Sequence, residues 1–247
     1  MVGLLFAAYG VASYLLFLGA FLYAIVFTGD LPVPKTIDSG TPGGLIPSLL
    51  VDALLLGLFA IQHSVMARPA FKRVWTRLVP RPIERSTFVL FASSALIALY
   101  AFWRPLAQPI WTLPSGAAAT AAQALFWTGW VVVLISTFLI NHFELFGLKQ
   151  VYDRLRGAMT VDTPFRTPGF YRWVRHPIYL GFIMAFWATP RMTLGHLVFA
   201  LATTGYILIA IQLEEHDLVG VFGDRYRRYR TQAGMLWPKF GGGSDGA

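Results

Sequence analysis

Apolar runs long enough to cross a bilayer divide this chain, and their spacing limits the folds open to it. Gly3 to Phe27, Leu45 to Met66, Ser86 to Trp103 and Ala121 to Leu148 each approach or exceed the roughly 20 residues that a transmembrane helix needs. A fifth tract, Ile178 to Leu213, is roughly 36 residues, nearly enough for two crossings. Thr189-Pro190-Arg191 interrupts it, and proline both removes a helix donor and biases its predecessor away from helix. The tract therefore reads as a hairpin with one short and one full arm. With 56% hydrophobic and 13% charged residues among 247, no single soluble core could bury this surface. The expected fold is all-α: a polytopic membrane bundle of four transmembrane helices, a C-terminal helical hairpin over 178–213, and a short amphipathic helix. One membrane-embedded domain over 1–240 accommodates these elements, and 241–247 reads as a disordered tail. The first run lacks a basic start and is too long for a cleavable leader, so it is expected to remain as a span.

Charge placement supports the hairpin independently. Seventeen of the twenty Lys and Arg residues fall in three places. Arg68 to Arg85 lie between the second and third runs, Lys149 to Arg175 precede the hairpin, and Arg225 to Lys239 follow it. Lys35, Arg104 and Arg191 fall in the alternate loops. By the positive-inside rule, both termini and the two long basic loops are cytoplasmic, which requires an even number of crossings. The expected location is within a membrane, with the basic loops on its cytoplasmic side. The net charge of +8 is thus an orientation signal and not a sign of nucleic-acid binding. Cysteine is absent, which excludes disulfides, thiolate metal sites and a cysteine nucleophile. No metal is expected.

Polar residues within apolar helices are costly and are therefore candidates for function. In the second run, Asp52 and His63 lie on nearly one face but about 16 Å apart along the axis. In the fourth, Asn141 and Glu144 share a face by their i, i+3 spacing, with His142 on the same turn. His63 and His142 read either as functional imidazoles or as hydrogen-bonded interfacial ones. Asp52, nearer the external side, reads as structural.

A second group brackets the hairpin. Gly169-Phe170-Tyr171-Arg172-Trp173-Val174-Arg175-His176-Pro177 leads into it, and Glu214-Glu215 closes it. If the tract folds back, both clusters reach one face. Arginine supplies fixed donors and histidine a switchable one, while proline in the first turn leaves the helix start open to a carboxylate. The glutamates can accept from ribose hydroxyls or an ammonium group. The rings of Tyr171, Trp173 and Tyr179 offer faces to a base or a sulfonium.

The pattern Arg175-His176-Pro177-x-Tyr179-Leu180-Gly181, then Glu214-Glu215-x-x-Leu218, then Phe222-Gly223-x-x-Tyr226-x-x-Tyr229, resembles the isoprenylcysteine carboxyl methyltransferase superfamily of integral membrane methyltransferases. Gln62-His63-Ser64-x-Met66-Ala67-Arg68-Pro69, Asn141-His142-Phe143-Glu144-Leu145-Phe146-Gly147-Leu148 and Ala185-Phe186-Trp187-Ala188-Thr189-Pro190 are similar to the bacterial methanethiol S-methyltransferases. That resemblance covers nearly all of the chain. It implies methyl transfer from S-adenosylmethionine to methanethiol, a small volatile thiol, releasing dimethyl sulfide and S-adenosylhomocysteine. It places His176, Tyr179, Gly181, Glu214 and Glu215 in the cofactor pocket, with Tyr226 and Tyr229 closing it from the cytoplasm.

Methanethiol is mostly protonated at neutral pH. Arg175 is accordingly the candidate thiolate stabiliser, and His63, His142 or Glu144 the proton acceptor. The other acceptors weighed for such a methyltransferase are a prenylcysteine carboxylate and a lipid amine. Outside that class stand a haem protein with His63 and His142 as axial ligands, and a small-solute transporter with Asp52 and Glu144 along its path. Oligomeric state is not legible in the sequence.

Overall fold

The computed structural model describes residues 1–41, 43–158 and 165–239, so the tail at 241–247 lies outside the described residues. The first half runs α1 (Val2–Thr28), α2 (Leu45–Ala67), α3 (Pro69–Trp75), α4 (Arg81–Phe102) and β1 (Pro109–Thr112). The second half continues α5 (Ala117–Ile140), α6 (His142–Leu145), α7 (Leu148–Leu155), a 3-10 turn at Gly169–Arg172, α8 (Pro177–Trp187), β2 (Arg191–Thr193), α9 (Leu194–Phe222) and α10 (Asp224–Gln232). Among these, α1, α2, α4, α5 and α9 are long and apolar enough to cross a membrane. Large apolar side chains such as Ile46, Leu54 and Leu58 on α2 and Ile209 on α9 stay more than half exposed, as lipid-facing residues do. The chain is a polytopic helical membrane protein.

The hairpin forms as the sequence suggests, with α8 as the short arm of 11 residues and α9 as the long one. The lengths balance. Eleven helical residues rise about 16 Å, and the extended stretch through β2 adds roughly as much again, which matches the roughly 32 Å of α9 that returns to the start of α8. However, α9 runs past Leu213 to Phe222, so Glu214 and Glu215 sit inside a helix and not at its end.

Three other expectations need correction. The fold is not purely α-helical, because β1 and β2 pair antiparallel and join the connection after α4 to the hairpin turn. Strands of four and three residues are too short to show an alternating pattern. Around this ribbon, Phe27, Ile37, Trp103 and Leu106 are buried, so the connections at this end of the bundle form a packed cap. The fourth helix ends at Ile140, well before Leu148. Asn141 adopts a left-handed conformation with φ of 109°, and its side chain accepts from the Glu144 amide to start α6. Asparagine tolerates this backbone region better than most residues and is a favoured helix cap. Finally, α4 starts at Arg81, one turn and more before Ser86, with proline in its first turn. That start draws Glu84 and Arg85 out of the loop and onto the helix.

Helix α5 packs most extensively on α8, and glycine sets their separation. A Cβ on Gly129 would lie 2.6 Å from the Gly181 carbonyl oxygen, and one on Gly181 would lie 2.7 Å from that of Gly129. The backbones touch directly. Helix α8 is thereby fixed between α5 and α9, with its first turn facing the middle of α9's last third.

Candidate active site

Glu215 is the centre of the site. Its side chain is 5% exposed, and its Oε1 accepts from Arg175 Nε at 2.7 Å and faces His176 Nε2 at 3.1 Å. On the other oxygen, Arg230 Nε of α10 lies at 3.1 Å from Oε2. A carboxylate surrounded in this way has its burial offset by charge-assisted hydrogen bonds. Beside it, Tyr179 donates its hydroxyl to Glu214 Oε2 at 3.0 Å, and Glu214 keeps 42% of its side chain exposed. The two halves of the sequence bracket therefore meet. Glu215 is fully engaged with protein, whereas Glu214 has an accessible carboxylate edge.

The C-terminal region closes over this cluster. Arg175 N donates to Gly234 O at 2.8 Å, His176 N to Met235 O at 3.2 Å, and Gly234 N to Trp173 O at 3.0 Å. Arg175 also donates through Nη1 to the carbonyls of Arg230 and Ala233. Tyr226 and Tyr229 are buried on the inner face of α10 with Phe165, Leu218 and Phe222, and Tyr229 donates to Tyr171 O at 2.5 Å. Burial raises the pKa of Tyr171, Tyr226 and Tyr229 above the ordinary phenol range, so each remains a neutral hydroxyl. Both α10 tyrosines hold the lid in place from within. Gly181 is on another side of α8, against Gly129 and Val133, where close helix packing accounts for it.

The remaining candidates occupy separate environments. His142 faces Tyr14 OH with Nε2 at 2.8 Å and Thr137 Oγ1 with Nδ1 at 2.9 Å, and stacks on Phe138. Because Thr137 donates to Leu134 O, its oxygen accepts from Nδ1–H, and Nε2 in turn accepts from Tyr14. Burial lowers the His142 pKa, consistent with a neutral ring whose two nitrogens are both in use. Neither is left for an axial metal. His63 stands between Phe59 and Phe88, and its buried Nδ1 has no hydrogen-bond partner among the described residues. Glu144 accepts from Asn141 Nδ2 at 2.7 Å and lines a cavity of about 720 Å³ together with Glu84 and Arg85. Asp52 is buried and accepts the Arg104 amide at 2.8 Å, beyond the far end of α4 from Arg85. That puts it roughly 28 Å from Glu144 along the bundle, so the two acids mark no common path.

Two further residues are not singled out by the sequence pattern. Arg230 falls among the orientation signals, although Tyr226, Tyr229 and Arg230 share one face at helical spacing. Arg85 falls in a polar stretch that reads as loop. It lies over the Phe88 ring at 5.0 Å and donates through Nε to Leu145 O at 2.7 Å. Arg68, which bridges to Asp217 at 2.8 Å, ties α2 to α9 beside this region.

Fold and site together define an integral membrane protein with an arginine, histidine and glutamate cluster built on its C-terminal hairpin. Comparison with known proteins narrows the class. The chain is 56% identical over 230 residues to a methanethiol S-methyltransferase of Mycobacterium tuberculosis, covering 93% of this chain and 94% of that protein. Methanethiol S-methyltransferase 1 of Bradyrhizobium diazoefficiens is 53% identical over 230 residues, covering 93% and 81% respectively. Mouse Nurim is 30% identical over 258 residues, covering 93% of each. No protein-family model and no solved structure matches. The chain belongs to the methanethiol S-methyltransferase family.

Proposed function

We propose that this chain transfers the methyl group of S-adenosylmethionine to methanethiol, giving dimethyl sulfide and S-adenosylhomocysteine, at the cytoplasmic face of a bacterial membrane. The observation that carries this reading is the convergence of Arg175, His176 and Tyr179 from one arm of the hairpin with Glu214 and Glu215 from the other. The residues suit the donor chemically. Glu214 has an accessible carboxylate edge for a ribose diol or an ammonium, and the Tyr179 and His176 rings lie side by side with centroids 5.6 Å apart. Glu215 serves as the keystone that fixes Arg175, His176 and Arg230. Tyr226 and Tyr229 hold α10 over the pocket. When bound, S-adenosylmethionine supplies an electrophilic methyl group on a sulfonium sulfur.

The protein then has two tasks, to orient the acceptor and to take its proton. Glu144 and His63 are the proton acceptors that fit best, because Glu144 lines a cavity and His63 has an unused nitrogen. His142 supports the α1–α5 interface. The basic loops at 68–85, 149–175 and 225–239 favour the cytoplasm for the site and both termini.

The experiment is direct. Detergent-purified protein is mixed with S-adenosylmethionine and methanethiol, and the headspace is analysed for dimethyl sulfide. Release of dimethyl sulfide supports the reading. Retained S-adenosylhomocysteine binding without product would redirect it to a prenylcysteine carboxylate or lipid amine acceptor.

A further inference from the structure

We propose that Arg85 is the cation that holds the acceptor sulfur as a thiolate, in the cavity bounded by α4, α6 and α7. This assignment rests on the proposed methanethiol methylation, and it moves the thiolate role away from Arg175. The Arg175 guanidinium already donates to Glu215 and to the carbonyls of Arg230 and Ala233, so turning it toward a substrate would dissolve the cluster. Arg85 has the opposite arrangement. Its Nε is fixed by Leu145 O and its plane by Phe88, while its Nη atoms make no hydrogen bond among the described residues. A rigid, permanently charged fork with unused donors is suited to a soft anion.

The surroundings point the same way. Arg85 lines the cavity of about 720 Å³ with Ile140 and Leu145 as apolar walls, a fitting environment for a methyl thiol. Glu84 on α4, Glu144 on α6 and Glu214 on α9 all act electrostatically on Arg85. The last of these is the partner of Tyr179, so the cavity arginine and the hairpin site lie within electrostatic range of each other. From α2, His63 packs on the Phe88 ring that Arg85 also covers. Lys72, Arg81 and Arg154 contribute further cations to the cavity wall. Two buried oxygens of residues that line the cavity, Glu84 Oε1 and Gln150 Oε1, lack partners among the described residues, as do Gln62 Oε1 and His63 Nδ1 on α2. A polar interior with unfilled hydrogen-bond positions is characteristic of a ligand chamber.

The chemistry balances. The thiol proton passes to the Glu144 carboxylate and from there to water, while the electron pair left on sulfur is held by Arg85. That pair forms the new carbon–sulfur bond as the old bond to the sulfonium sulfur breaks, and the departing pair neutralises the sulfonium. A neighbouring cation favours the charged form of a thiol, whose ordinary pKa is about 8.5 or higher.

Arg85→Gln and Arg85→Lys provide the test, each compared with wild type by S-adenosylhomocysteine calorimetry, by kcat/KM for methanethiol across pH, and by the ultraviolet absorbance of thiolate when methanethiol is added to the S-adenosylhomocysteine complex. Arg85→Gln is expected to bind S-adenosylhomocysteine within about twofold of wild type and to lose on the order of 100-fold in kcat/KM at pH 7. The deficit should narrow as pH approaches the pKa of the free thiol, and the bound-thiolate absorbance at pH 7 should vanish. Arg85→Lys should recover part of both. Loss of S-adenosylhomocysteine affinity in parallel with activity would overturn the assignment, as would a deficit constant across pH or an unaffected Arg85→Gln enzyme. If Arg85→Gln does not fold, Arg85→Lys still decides the matter, because wild-type kinetics and absorbance at every pH would exclude the fork. A wild-type enzyme that makes no dimethyl sulfide would instead refute the underlying function.

Discussion

Replacing Glu215 by alanine is the sharpest perturbation the hairpin offers. Glu215 and Arg175 are 5% and 10% exposed and 2.7 Å apart, so this is a buried pair and its loss is not screened by solvent. Removing one member of such a pair typically costs about 3–5 kcal/mol, because the other charge stays buried without compensation. Arg175 retains its bonds to the Ala233 and Arg230 carbonyls, which favours the lower end, about 3 kcal/mol. For a chain of this length that corresponds to a fall in Tm of roughly 6–12 °C. His176 and Arg230 also lose their carboxylate partner, so the lid loosens over the pocket. S-Adenosylhomocysteine affinity should fall at least about tenfold, equivalent to about 1.4 kcal/mol. Membrane insertion should persist, since alanine in place of a carboxylate only adds to the apolar character of α9 and leaves the other spans unchanged. The assay is thermal unfolding in detergent with and without S-adenosylhomocysteine, paired with calorimetry. Unchanged Tm together with unchanged affinity would refute the keystone role, and unchanged Tm with weakened affinity would mean that Glu215 contacts the ligand directly.

Gly129→Ala should lower stability by about 1–3 kcal/mol through overpacking, since its Cβ would sit 2.6 Å from the Gly181 carbonyl; thermal unfolding measures it. At Asn141, substitution by leucine forces a larger side chain into φ of 109° and removes a cap, costing about 1–2 kcal/mol, whereas Asn141→Gly should be better tolerated. Their Tm difference is the readout. Burial keeps His142 from accepting a proton that the unfolded chain binds. Its stabilising contribution is therefore complete above the unfolded pKa of about 6.5 and is lost as the pH falls below it. His142→Gln should flatten the acid limb of the stability profile below about pH 6.5, and a limb as steep as wild type would exclude His142 as its source. Tyr179→Phe removes the hydrogen bond to Glu214 and should weaken S-adenosylhomocysteine binding by about 0.5–1.5 kcal/mol, readable by the same calorimetry.

What the sequence disclosed followed physical strength. Bilayer-length apolar runs and segregated cations constrain a chain wherever it packs, and they anticipated the spans and the hairpin. The meeting of His176 with Glu215 was likewise implied once Pro190 required a turn. Local exceptions were less legible. Asn141 breaks a helix through a backbone conformation that composition does not register. The β ribbon is made from residues that read as loop, and its pairing depends on α4 and the hairpin turn lying at one level. Arg85 was concealed by a boundary, because helix α4 begins in a polar stretch that hydropathy assigns to the aqueous side. Gly181, grouped with ligand residues by pattern, is equally a contact between helices, and only the opposing Gly129 reveals it.

The pairing of Trp173–His176 with residues 233–239 affects the order in which the enzyme comes into being. All the spans leave the ribosome before those residues do, so a chain can be inserted while Arg175 still lacks the Ala233 carbonyl and Glu215 lacks Arg230. Docking of residues 233–239 on Trp173–His176 is thus a step that follows synthesis of the spans and closes like a latch. A protease acting on residues 233–239 would strip Arg175 of the Ala233 and Gly234 carbonyls while leaving every span in the bilayer.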